Sequence, residues 1–428
     1  MTRCNELDAV RGILLLLMAL THLPTGLNPY ADQPLGFVSA AEGFVFLSAF
    51  LVGSIYSRQL VERGIETVRS RLWKRARRLY GYHLGLVLFA FTVVAAIAHF
   101  GHSQALHNFL MVFFRAPGWA TLSAPFLLYQ PPLMDILPMY IVFLALTPLL
   151  LQFVARRGWW PLLTMSLLLW VAAQLHIGRW LSGTLVSSGY PLPREAWSSF
   201  DWFAWQLVWV AGLWLGSGRR SLSLSSAPQR TAAAAPTRPS IAMAAALAAP
   251  IAGTAGPTTP TRARAAWWRR GSTYALLAAI GVATVLLFAR HHIGGFLADL
   301  DVNAPVVNKW RLGPLRLANF ALLGFIVHRL LLPALRWLRI AGLELLGRSS
   351  LQVFTSHIPI CILADGLIDA APSATLSIPQ QTVLLALMLG VMWVVAWRSD
   401  APRRAALVRN EQLRRAARVE ALSALAPD

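Results

Sequence analysis

A bundle of membrane-spanning α-helices is predicted by three features: scarce charge, long apolar runs and the placement of the arginines. Only 13% of the 428 residues are charged and 56% are hydrophobic, whereas a soluble domain carries about 25% charged residues. The apolar runs approach about 20 residues, the length a helix needs to cross a hydrocarbon core of about 30 Å. Arginines gather between and after these runs, as positive-inside bias requires. The net charge of +20 is therefore accounted for by the loops and gives no reason to expect nucleic acid as a partner. With two cysteines, Cys4 and Cys361, the composition argues against a disulfide framework or a thiolate metal site.

The opening stretch, NELDAVRGILLLLMALTHLPTGL (5–27), sets the argument. Glu6 and Asp8 precede its apolar run and no small-residue cleavage site follows, so it is expected to be an uncleaved first span. Arg11 and His22 are eleven steps apart. At about 100° and 1.5 Å per residue, they share one helix face and lie about 16 Å apart along the axis. Asp8, one turn before Arg11, can pair with it. Ionisable groups inside a bilayer cost about 3 kcal/mol each on insertion scales and usually face a cavity or a partner. One reading is a site that reaches towards both membrane faces. The other is a snorkelling Arg11 anchor and an interhelical hydrogen bond from His22.

Further spans are predicted over 36–56 and 79–100, joined by a basic connector holding Arg69, Arg71, Lys74, Arg75 and Arg77. Residues 104–132, broken by Pro117, Gly118 and Pro125, are too fragmented to cross and are expected to cap the outer side. Spans four to six follow over 133–154, 160–176 and 200–215. Residues 218–271, rich in Ala, Pro, Ser, Thr and Arg, are expected to form a disordered cytoplasmic linker. Spans seven to ten fall at 272–291, 315–335, 349–369 and 379–397, and a basic cytoplasmic tail follows over 399–428. The fold class is all-α, a polytopic bundle of about ten helices with both termini cytoplasmic. The transmembrane domain is 1–398, interrupted by the linker.

This topology brings several ionisable groups to one depth. Glu42, near the start of the second span, is level with His22 near the end of the first. A carboxylate there would orient or charge the imidazole, unless Glu42 is a structural hydrogen-bonder. Asp135, Asp201 and Arg316 open later spans on the same side, close to Lys309, and could equally be solvated helix-end charges. His357 is placed in the inner half of its span, in a packing or tunnel role. Arg348, in Gly347-Arg348-Ser349-Ser350, could meet an anionic phosphate at a helix start. Six more histidines, among them His99, His176 and His291, fall near the outer face, but their spacing supports no metal centre.

An arginine, ten residues and a histidine in the first helix resembles the membrane acyltransferase-3 superfamily. Beyond it, EGFVFLSAFLVGSIYSR, DILPMYIVFLALTPLLL, NKWRLGPLRLANFALLGF and LELLGRSSLQVF are similar to the OpgC branch, the succinyltransferases of osmoregulated periplasmic glucans. SSFDWFAWQ departs from that pattern where an asparagine-proline pair would be expected. The resemblance implies a multi-pass protein of the bacterial inner membrane with no permanently bound cofactor. Cytoplasmic succinyl-CoA would be the acyl-CoA co-substrate, a periplasmic glucan hydroxyl the acceptor, and His22 the base or the acyl carrier. Glu42 would orient and polarise His22, and Arg11 would lie on the CoA side of the first helix or hold that helix against Asp8. Lys309 and Arg316 would meet the succinyl carboxylate or a charge on the glucan side, and Trp119, Tyr190, Trp197, Trp202 and Trp310 could stack on sugars. Membrane lipids are the other partners, and a homodimer is compatible with this picture. Two rival functions are a transporter or flippase for a glycan or lipid, and an acetyltransferase of another envelope glycan. A third is a scaffold for glucan synthesis. The lack of an inverted repeat counts against transport.

Overall fold

The computed structural model describes residues 5–189, 198–218, 262–293, 304–369 and 376–423, and every regular element among them is helical. The chain begins with α1 (Asn5–His22), a short α2 (Asn28–Asp32) and the long α3 (Ala40–Phe89). Fifty residues of helix would reach about 75 Å, more than twice a bilayer core. At Gly64, φ is 77° and ψ is 172°, and this left-handed residue divides α3 into two arms. The expected connector is therefore helical on both sides of Gly64. A wide turn at Ala90–Val94 leads into Ala95–Phe100. Three short helices follow, Gln104–Phe109, Met111–Arg115 and Pro117–Ser123, none long enough to span.

Next come α4 (Ile136–Arg157), α5 (Trp159–Gln174) and, after a short amphipathic helix at Ile177–Ser187, α6 (Trp202–Gly216). Residues 219–261, most of the expected linker, lie outside the described residues. The last part of that expectation is corrected. Helix α7 (Arg262–His291) begins ten residues before the predicted span, because the run RARAAWWRR contains no Pro or Gly to stop it. The chain ends with α8 (Pro314–Ile326), a wide turn and Leu332–Leu338, then α9 (Ala341–Arg348), α10 (Ser350–Asp369) and α11 (Ile378–Ser423).

Among the described residues, five helical stretches are long and apolar enough to cross a membrane: Ala40–Phe100, Ile136–Arg157, Thr273–His291, Pro314–Leu338 and Ile378–Leu413. Helix α1 has 18 residues but carries Glu6, Asp8 and Arg11. Helices α5 and α6, both expected to span, have 16 and 15 residues, about 24 and 22 Å. The exposed flank of α5 is apolar, with Trp160 and Leu168 largely exposed. On a water-soluble protein such surface would be a liability, but it suits contact with lipid.

Helix α1 lies at the centre and packs on α9, α3 and α10, while α3 packs on α6 and α4. The contact with α9 depends on two glycines. A Cβ at Gly12 would run into the Leu343 carbonyl, and one at Gly347 into the Asp8 backbone. Small residues at such crossings let helix backbones touch. Gly347→Ala is expected to destabilise the protein by about 1–3 kcal/mol through overpacking, read as a lower thermal midpoint of the detergent-solubilised chain. An unchanged midpoint would mean that α9 can back away from α1 freely. Helix α8 is tied to the start of α3 by Asn319, which is fully buried and whose Oδ1 accepts from the Phe37 backbone N–H at 2.9 Å.

Candidate functional site

Helix periodicity puts Arg11 and His22 on one face of α1, and the bundle gives each a cavity. Arg11 lines a cleft of about 50 Å³ shared with Phe44, Arg75, Tyr140 and Ser350. His22 lines a larger cavity of about 200 Å³ with Met18, Thr21, Asp32, Lys309 and His357. Two residues, Ile136 and Phe354, line both. The helices α1, α3, α4 and α10 each contribute to both spaces, so the cavities follow each other along the bundle axis.

At the His22 end, the fixed charges come from the end of α2 and from the loop before α8. Lys309 Nζ donates to Asp32 Oδ1 at 2.9 Å, and these two charges of opposite sign are those that act on the His22 imidazole. Burial pushes the Asp32 carboxyl up, but Lys309, with Gln33 and Arg290, outweighs it and holds the group below the usual carboxylate range. Asp32 is therefore an anion beside the imidazole. The Lys309 loop is held by the Trp310 carbonyl, which accepts from the Asp201 backbone N–H and from Trp205 Nε1, each at 3.0 Å. Asp135 lines the cavity too, and its Oδ2 accepts from the Ser199 backbone N–H at 3.2 Å.

His357 lies in the first half of α10, on the Ser350 side, and it lines the same cavity as His22 while being fully buried. Neither ring nitrogen has a hydrogen bond of normal geometry to a described residue. Its ring meets Phe354 edge to face at 5.2 Å and 82°.

Of its two readings Glu42 takes the structural one, and Arg316 is its buried partner rather than a solvated helix-end charge. Glu42 is the N3 residue of α3, and its Oε2 accepts from the Ser39 hydroxyl and backbone N–H in a capping box. Its other oxygen accepts from Arg316 Nε. Both side chains are buried, 0% and 1% exposed, and neither lines the His22 cavity. The carboxylate beside His22 is thus Asp32 rather than Glu42. The sequence held one signal for this, because Ser39-Ala40-Ala41-Glu42 is a capping-box pattern. Asp201 is another helix cap, accepting from the Phe203 backbone N–H at 3.0 Å.

At the other end, Arg11 donates to Ser350 Oγ and sits over the Phe44 ring at 5.8 Å, with Asp8 buried on the preceding turn. Arg75 Nη2 donates to the Tyr140 hydroxyl at 3.0 Å. Sequence reading treated Arg75 as one of several connector charges, and only its helix rotation marks it out. Arg348 does not open α10. It ends α9, pairing with Glu344 at 2.7 Å and Asp400 at 3.8 Å, so its charge is committed to protein carboxylates.

Of the aromatic residues expected to meet sugar, Trp310 lines the His22 cavity. Trp119 is exposed on the short helix Pro117–Ser123, and Tyr190 and Trp197 lie outside the described residues. Among the described residues, no three His, Cys, Asp or Glu side chains gather as a metal centre. His176 faces Arg311, and His291 faces the Gln33 carbonyl.

The family model described as OpgC protein matches residues 3–255 and 251–404. No curated protein matches the chain, and no solved structure does.

Proposed function

We propose, on the premise that this chain belongs to the OpgC family, that it is a membrane O-acyltransferase acting on a glucan hydroxyl. The acyl donor is a cytosolic acyl-CoA, succinyl-CoA first, and the acceptor is a periplasmic glucan reached from the opposite face of the inner membrane. The observation that carries this reading is the pair of successive cavities along α1. One holds the cations Arg11 and Arg75, and the other holds His22 with a fixed ion pair.

The chemistry follows from the groups present. His22, as a neutral imidazole, takes the proton from the sugar hydroxyl as its oxygen attacks the thioester carbonyl. The new C–O bond forms, the C–S bond breaks, and the electron pair leaves on sulfur. The imidazolium then returns the proton to the departing thiolate. General base assistance of this kind contributes about 10²–10⁴ in rate. A two-step route through an acyl-imidazole uses the same atoms. Asp32 favours the imidazolium that forms and offsets part of the opposing charge of Lys309, which in turn offers the succinyl carboxylate a partner. Arg316 does not serve that carboxylate, because its guanidinium is bound to Glu42. Arg11 and Arg75 suit the phosphates of the donor at the other cavity.

Mass analysis of periplasmic glucans from cells with and without this protein is the direct test. Substituents of one acyl mass, present with the protein and absent without it, support the reading and identify the group. Identical glucans in both cells would sink it. Substituted glucan held inside the cell without the protein would point to a transporter instead.

A further inference from the structure

Two cavities that share a wall raise the question of what the wall does. It consists of Phe354 from α10 and Ile136 from α4. On α10, Ser350, Phe354 and His357 fall at i, i+4 and i+7, so all three lie along one helix face. Ser350 faces the Arg11 cleft and His357 the His22 cavity, with the Phe354 ring between them. That ring stacks on Phe44 at 6.0 Å and 21°, and Phe44 in turn lies under the Arg11 guanidinium. It also meets the His357 ring edge to face. Phe354 therefore touches a residue of each cavity, and it is itself buried, 5% exposed.

We infer that the Phe354 ring, backed by Ile136, is the partition through which the acyl group passes between the two cavities, and that it limits the length of acyl chain transferred. This rests on the acyltransferase reading. A thioester whose head is held among Arg11 and Arg75 must send its carbonyl past this wall to reach His22. The passage needs no covalent change, because the ring is held by two ring–ring contacts of a kind that rearrange by side-chain rotation. Phe354 is thus a specificity-determining residue that leaves the proton transfer at His22 untouched. The acyl chain goes ahead of the carbonyl, so every methylene must clear the ring before transfer. A longer chain keeps the ring displaced for more of that entry step, which kcat/KM includes.

The test uses the full-length chain in lipid nanodiscs with a glucan acceptor and a series of CoA thioesters: succinyl, glutaryl and adipyl. Phe354→Ala should raise the adipyl-to-succinyl ratio of kcat/KM by about tenfold or more, the discrimination that one or two methylenes command. Phe354→Leu, the variant less prone to misfold, should shift it in the same direction by less, and Ile136→Ala likewise. Phe354→Trp should slow all three donors. If the parent transfers acyl groups and the variants change all donors in equal proportion, the partition is refuted while the acyltransferase reading stands. If the folded parent uses none of the donors, that reading fails and the partition falls with it.

Discussion

Replacing His22 with alanine is expected to lower kcat for acyl transfer by about 10²–10⁴, the share a positioned general base supplies. His22 stands at the end of α1 and is only partly buried, so its removal leaves no large void and the protein should still fold and insert. The measurement is acyl transfer by purified protein of matched amount, with the thermal midpoint as a control for folding. A two-step route predicts in addition that an acyl-protein adduct, trapped without acceptor, disappears in the variant. Retention of near-parental kcat by His22→Ala would remove the imidazole from the mechanism. The cavity would then be a binding site whose chemistry lies elsewhere.

The second large effect concerns stability. Arg316→Met should destabilise the protein by about 3–5 kcal/mol, because it leaves the Glu42 carboxylate buried without its cation. The pair is nearly inaccessible, 1% and 0% exposed, and joins the start of α8 to the start of α3 across 274 positions of sequence. The double variant Arg316→Met with Glu42→Gln should recover most of that loss, because no uncompensated charge remains. Thermal melts of the parent and the two variants in detergent separate the outcomes. If the single variant melts with the parent and its KM for succinyl-CoA rises instead, Arg316 meets substrate, and the structural role assigned to it is wrong.

The Glu42 case shows where sequence reading reaches its limit. Depth along a helix is a local property, fixed by the count of residues from its end. That count put Glu42 level with His22, but level residues on two helices meet only if both helices turn the same sides inward. Glu42 turns towards α8, where Arg316 waits. Asp32, the last residue of the short α2, carries no local signal, and at the cavity it is paired with Lys309, far along the chain. His357 shares a cavity with His22 through the register of α10 against α1, which no local pattern carries.

The sequence by itself determined that this is an all-helical membrane protein, and that Arg11 and His22 lie along one face of its first helix. Both follow from composition and periodicity, which the chain carries residue by residue. Only the tertiary structure decided which carboxylate faces the imidazole, which cations are already taken, and that Ile136 and Phe354 stand between two cavities. Those outcomes depend on the rotation and offset of helices hundreds of residues apart. Rotation and offset are set by packing, such as the close approach of Gly12 and Gly347 between α1 and α9, and no local pattern encodes them.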